Sequence, residues 1–362
     1  MSSWQATAYI IMLILPTAIL FVPSITAQSA GPDGWASLIL ALVFGLLVAV
    51  VSSSLAMKFP SQTVIEYAPR LLGPYVGKLV GFIYSFYFYY VGYYVLRQFA
   101  EVMTTGYMTK TPLWVHLIIL VMIASYALYL GLETLCRTNA VITIFFLASI
   151  SVIVLFVWFN IDFENFKPIL ATAPEKIILG SLSPGSWFGE CAVILMLAPF
   201  LADKKKATHI TVCAVAAVFL CMLLITVGVI GLFGAESASR MVIPTFSMAR
   251  NVRFETLQAL ERVDVLFMAV WVAGMIFKLA TFFFAGTLAF AQLFNISSYR
   301  LLIIPGAVLL TSLALVSWGN IAELIEFSSQ VFPVSINFVN FFLTSLLLVF
   351  VNLKAEGRAK DD

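Results

Sequence analysis

Three charged residues stand where so apolar a chain should hold none. Of 362 residues, 62% are hydrophobic and 10% charged, against about 25% charged in soluble domains. Yet Glu190 and Lys278 lie near the middle of long apolar runs, and Arg97 lies inside a third. An ionisable group at lipid depth costs about 2.5–3.5 kcal/mol on insertion scales. Three of them unpaired would cost roughly 7–10 kcal/mol, as much as a whole domain's stability. They should therefore be paired or face water. Lys278 is a fixed cation that can replace a coupling sodium ion, hold a ligand carboxylate or pair with Glu190. Glu190 follows Gly189 and can hold a ligand ammonium or a proton, or cap a loosened turn. Arg97 and Glu101 are four apart, so they share a helix face and form either an outer gate or a plain intrahelical ion pair.

Other chemistry is not indicated. The chain contains no HExxH, no GxSxG and no phosphate-binding loop, so no enzyme is expected. The four cysteines, Cys136, Cys191, Cys213 and Cys221, show no paired metal spacing and read as buried thiols. No metal and no cofactor are expected. A net charge of +2 implies no nucleic-acid partner.

The elements that must position these residues are membrane helices. Apolar blocks cover about residues 6–27, 36–57, 80–105, 113–130, 139–160, 177–201, 208–232, 265–291, 300–318 and 333–352. Most reach the ~20 residues that cross a bilayer, and they lack the alternation of a barrel. The reading is an all-α membrane protein of about ten transmembrane helices in one permease-like domain, residues 1–362, with membrane lipid around it. The N-terminal stretch lacks a basic region before its apolar run, so the first span should be retained. With the N-terminus inside, inner segments hold eleven basic residues, Lys204, Lys205 and Lys206 among them, and the short outer loops hold Lys110, Lys167 and Lys176. By the positive-inside rule both termini are cytoplasmic.

Ten spans with both ends on one side allow two inverted halves of five, about 6–160 and 177–352. The first span carries LPTAILFVP, with Pro16 and Pro23, and the sixth carries SPGSWFGECAVILMLAPF over 183–200. Breaks in matching positions of two halves point to a transporter binding site. Two harmless kinks are the alternative. Broken helices would expose N–H groups for a carboxylate and carbonyls for a cation. The span midpoints fall near Pro16 and Thr17, Gly92, Gly189 and Lys278. A ligand at that level would meet the N–H groups of Thr17, Ala18 and Ile19. Val91, Gly92 and Val95 would line it from the third span, Phe188, Gly189 and Glu190 from the sixth, and Lys278 and Thr281 from the eighth. Between spans, a short helix is expected over Val64–Leu72, an extended loop over 161–176, and one or two surface helices over 233–264. ERVD at 261–264 reads as a helix start.

Collinear segments carry a family resemblance. They are PTAILFVPS at 16–24, GPDGW at 31–35, FPSQTVIEYAPRLLGPYVGK at 59–78, LRQFAE at 96–101, TPLWV at 111–115, GLETLCR at 131–137, FGE at 188–190 and ERVD at 261–264, then Trp271 and Lys278. Together they resemble the spore germination permease family, the B subunits of nutrient germinant receptors, within the amino acid–polyamine–organocation superfamily. The resemblance implies the leucine-transporter fold, a 5+5 inverted repeat with helices 1 and 6 broken. It also implies a sensor of small nutrients such as amino acids or sugars in the inner spore membrane. Its partners there would be a channel-forming A-type subunit and a C-type lipoprotein subunit, and binding would trigger ion release and germination. The family often has glycine at the position of Pro16, and a second glutamate where this chain has Asp264. An amino acid:proton symporter using Glu190 or Lys278, or a scaffold subunit without ligand, are the rival readings.

Overall fold

In lipid every backbone polar group must be satisfied within the protein, which leaves long helices as the solution for these apolar runs. The computed structural model describes residues 1–251 and 263–361, and among them every regular element is helical. The first helix, α1 (Ser3–Ala30), starts at a capping box in which Ser2 and Gln5 satisfy each other's backbone N–H. It ends at Gly31, whose φ of +55° is a conformation glycine adopts without strain. A 3-10 turn, Gly31–Asp33, leads into α2 (Gly34–Lys58). Among the described residues, nine helical stretches are long and apolar enough to cross a membrane, and the first of them, Ser3–Lys58, is this pair of helices. One straight rod of that length would span about 84 Å, far beyond a hydrocarbon core of about 30 Å. The described residues therefore make ten passes, and both chain ends lie on one face.

The corner between α1 and α2 is fastened to the loop that joins the fifth and sixth spans. Asp33 is buried there, and its carboxylate accepts the backbone N–H groups of Leu170 (2.7 Å) and Thr172 (3.0 Å). Burial alone would raise the pKa of this carboxyl, but the N–H donors outweigh it and hold the group below the usual carboxylate range.

On the face where the chain ends lie, α3 (Val64–Leu72) forms where expected, behind a Thr63–Glu66 capping box. The third to fifth spans are α4 (Pro74–Val102), α5 (Leu113–Leu130) and α6 (Leu132–Trp158). The 161–176 loop is not wholly extended, because Asp162 caps a 3-10 turn at Phe163–Phe166. The sixth span is composite. It runs as α7 (Pro174–Gly189), a 3-10 turn at Glu190–Val193, α8 (Ile194–Leu197) and a further 3-10 turn at Ala198–Phe200. The seventh is α9 (Ala207–Phe233). Two short helices follow on the far face, α10 (Ala235–Arg240) and α11 (Pro244–Arg250). Glu261 and Arg262 of the expected ERVD helix start lie outside the described residues. The eighth and ninth spans are α12 (Val263–Leu293) and α13 (Ile303–Val316). The tenth joins α14 (Ile321–Asn337) to α15 (Thr344–Asp361) through a π turn at Phe338–Leu343.

Packing reflects two related halves. The first helix packs on α9 and the sixth on α2, so each half lends its leading helix to the other, while α4 packs directly on α12. From Ala8 to Ala27 every residue of α1 is buried; a helix apolar on all sides belongs at the axis of a bundle. By contrast α5 and α13 present Met122, Tyr126, Ile304 and Val308 outward, as lipid-facing helices do.

The two helices expected to be broken differ in form. The sixth span tightens to 3-10 at Glu190, whereas α1 stays wound through Pro16 and Pro23. Proline fits a helix in φ, and what it withholds is its own N–H. Pro16 and Pro23 therefore free the carbonyls of Met12 and Ile19 upstream, and free no N–H downstream. The Ile19 carbonyl accepts the Thr245 hydroxyl of α11 (2.5 Å), and Trp271 Nε1 of α12 donates to the Pro16 carbonyl (2.8 Å). The expected unwinding of α1, with the N–H groups of Thr17, Ala18 and Ile19 turned to a ligand, is thus corrected. Those groups sit inside an uninterrupted helix.

Candidate functional site

The composite sixth span, α1 and α12 meet around one ion pair. Lys278 Nζ lies 2.6 Å from Glu190 Oε2 and donates to Thr17 Oγ1 at 2.6 Å. All three residues are 0% exposed. Of the roles open to Lys278, pairing with Glu190 is the one present. Glu190 stands at the first residue of the 3-10 turn, where the change of winding begins. Its other oxygen, Oε1, has no hydrogen-bond partner among the described residues, and neither does the buried Trp187 Nε1 one turn earlier.

The remaining expected residues divide by direction. Thr281, one turn beyond Lys278, is buried and donates to the Phe277 carbonyl of its own helix (2.7 Å). Ala18 and Ile19 are buried in α1, and Val91 and Val95 in α4. Gly92 opens toward α13, where an added Cβ would lie 3.0 Å from Leu310. Phe188 lies over Gly45 of α2, on the scaffold side of its helix. Gly189 opens toward the tenth span, its would-be Cβ 3.5 Å from Asn337 Oδ1 and 3.9 Å from Asn340 Nδ2. Thr17, Glu190 and Lys278 are therefore drawn together, while Phe188 and Gly92 face supporting helices.

Arg97 and Glu101 form a buried pair on α4, Arg97 Nε donating to Glu101 Oε1 at 2.8 Å. Arg97 Nη1 also donates to the carbonyls of Ala314 (2.9 Å) and Leu315 (3.1 Å). These belong to the last turn of α13, whose carbonyls lack helical partners. The guanidinium thus braces α4 against α13 and caps a helix C-terminus, where a cation is favoured.

The tenth span supplies polar groups that the sequence reading passed over. Asn340 Nδ2, in the π turn, donates to the Tyr87 hydroxyl of α4 at 2.9 Å. Thr344 donates to the Val339 carbonyl across the same turn (3.1 Å) and bonds the Tyr84 hydroxyl at 2.8 Å. Ser183 of α7 donates to the Ser328 carbonyl of α14 (3.0 Å). The signal was present in FPVSINFVNFF at 332–342, where two amides stand three apart just after a proline. Among the described residues no cluster of three or more His, Cys, Asp or Glu is placed to hold a metal ion.

Residues 1–318 match the family described as spore germination protein. Spore germination protein KB of Bacillus subtilis (strain 168) is 26% identical over 337 residues, covering 92% of this chain and 89% of that protein. Spore germination protein YndE of the same organism is 23% identical over 295 residues, covering 80% of each. Spore germination protein A2, also from that organism, is 21% identical over 357 residues, covering 97% of this chain and 95% of its own. Among solved structures, a Na+-coupled sialic acid symporter in a substrate-bound outward-open state is similar with a TM-score of 0.64 at 12% identity, over 94% of this chain and 79% of that one. At that identity the likeness concerns the fold.

Proposed function

The chain belongs to the spore germination protein family, and on that premise we propose that it is the nutrient-sensing, transporter-like subunit of a spore germinant receptor. Its ligand is a small amino acid-like molecule held at the membrane midplane, and its role is non-enzymatic. The observation that carries this reading is the fully buried Lys278–Glu190–Thr17 cluster among α1, the sixth span and α12. A zwitterion carries the same two charges as the pair. Its carboxylate takes the lysine and its ammonium the glutamate, so the pair separates without leaving either charge uncompensated. A ligand shifts an equilibrium only by binding one arrangement better than another, and opening this cluster supplies such a difference. The basic residues of the inner segments orient the chain with both termini in the cytoplasm. In the spore inner membrane it would work with an A-type channel subunit and a C-type lipoprotein subunit.

The rival is a symporter that uses Glu190 or Lys278 as carrier. Vesicles containing only this chain separate the two when offered radiolabelled L-alanine as a representative small zwitterion. The sensor reading expects saturable binding without accumulation, and concentrative uptake would overturn it. Germination assays of Lys278→Ala and Glu190→Gln address the scaffold reading. An unchanged nutrient dose–response in both, at normal protein levels, would leave the cluster without a role in sensing.

A further inference from the structure

Beside the ion pair the tenth span brings unspent polar groups to the same level. Asn337 and Asn340 flank and enter the π turn at Phe338–Leu343, and such turns recur at functional sites. Both approach the bare backbone of Gly189, the residue before Glu190. Asn337 Oδ1 and Trp187 Nε1 have no partner among the described residues, and Trp187 is wholly buried. The Tyr87 hydroxyl accepts from Asn340, and no acceptor for its own proton is present among the described residues. The free capacity is mixed, with N–H and O–H donors from Trp187 and Tyr87 and an amide oxygen from Asn337. Its one charge is Glu190, already balanced by Lys278.

We propose that Tyr87, Trp187, Asn337 and Asn340 form the wall that reads the ligand's side chain, and that they select a neutral group able to both donate and accept, a hydroxyl or a carboxamide. This deepens the proposed function and rests on it, since it assumes that the ligand's backbone groups engage Lys278 and Glu190. An aliphatic side chain would leave buried donors and acceptors unpaired, which a site built for hydrogen bonds rejects strongly. A charged side chain would bring in a charge with no counterpart. Gly189 fits the role, because any larger residue would stand against the two amides.

The test is equilibrium binding by the full chain in nanodiscs, with L-alanine, L-serine, L-asparagine and L-valine as probes. Wild type is expected to bind serine or asparagine at least tenfold more tightly than valine. Asn340→Leu should remove that preference while changing alanine affinity less than about threefold. Gly189→Ala adds a methyl at ordinary contact distance from Asn337, so the fold is kept. It should weaken asparagine at least tenfold more than alanine. A wild type that binds valine as well as asparagine, or selectivity unmoved by both variants, overturns the inference. If Lys278→Met then abolishes binding of all four, the midplane reading stands without this wall. If wild type binds none of the four, both fall.

Discussion

Removing one partner of the central ion pair should cost far more than removing both. Lys278 and Glu190 are each 0% exposed and 2.6 Å apart. Lys278→Met keeps most of the side-chain volume but strands a carboxylate in the interior, and stranded buried charges cost about 3–5 kcal/mol. Glu190→Leu strands the ammonium and should cost a similar amount, with Thr17 left as its hydrogen-bond partner. Adding the two singles gives a loss of about 6–10 kcal/mol. The double variant strands nothing, and replacing a buried pair with apolar side chains is often neutral or stabilising by about 1–4 kcal/mol. It should therefore unfold near the wild-type midpoint, with both singles well below. The assay is denaturant-induced unfolding of purified protein in micelles, followed through intrinsic tryptophan fluorescence. The same double variant should be folded yet fail to bind amino acids, which separates the pair's structural role from its sensing role. A double variant no more stable than the worse single would refute the argument that each charge exists to compensate the other.

Further outcomes follow from the braces around the site. Thr245→Val leaves the Ile19 carbonyl without its donor, at about 1–3 kcal/mol. Pro23→Ala restores a helical N–H to that carbonyl, so the second change should suppress most of the first in micelle unfolding. Arg97→Met strands Glu101 and uncaps α13, so a loss of about 3–5 kcal/mol is expected, with faster hydrogen exchange in the last turn of α13. Asp33 has its carboxyl held low by the Leu170 and Thr172 N–H groups. Its contribution is complete above the unfolded aspartate pKa of about 3.9 and disappears as pH falls through the lower folded value. The stability gap between wild type and Asp33→Asn should be constant near neutrality and close in acid; a gap that widens in acid would contradict the sign.

Hydropathy made the spans legible, and the amphipathic pattern of 58–79 made α3 legible, because the contrast between lipid and water acts on the chain directly. The pairing of Lys278 with Glu190 was legible as one of three options, since a charge at that depth needs a partner and the two fall at one level. The fate of Pro16 and Pro23 was not. Whether a proline breaks a helix depends on what satisfies the freed carbonyl, and for Pro23 that donor, Thr245, comes from far along the chain. Rotation about a helix axis was equally hidden. Neighbouring residues point about 100° apart, so Phe188 and Glu190 share a segment yet face different helices. Asn337 and Asn340 were readable as costly amides in an apolar run, but the helix they face depends on packing that no local pattern encodes.

The latch at Asp33 carries a consequence for how the protein is made. The acceptor leaves the ribosome with the first hairpin, but its nearer donor, Leu170, is 137 residues away in sequence. During synthesis the carboxylate must wait in water, and the hairpin can settle only after the chain has threaded the bilayer several more times. The first pair of helices to be inserted is therefore locked only when half of the spans have been made. A ribosome stalled before Leu170 should hold a hairpin that proteases still cut at its turn.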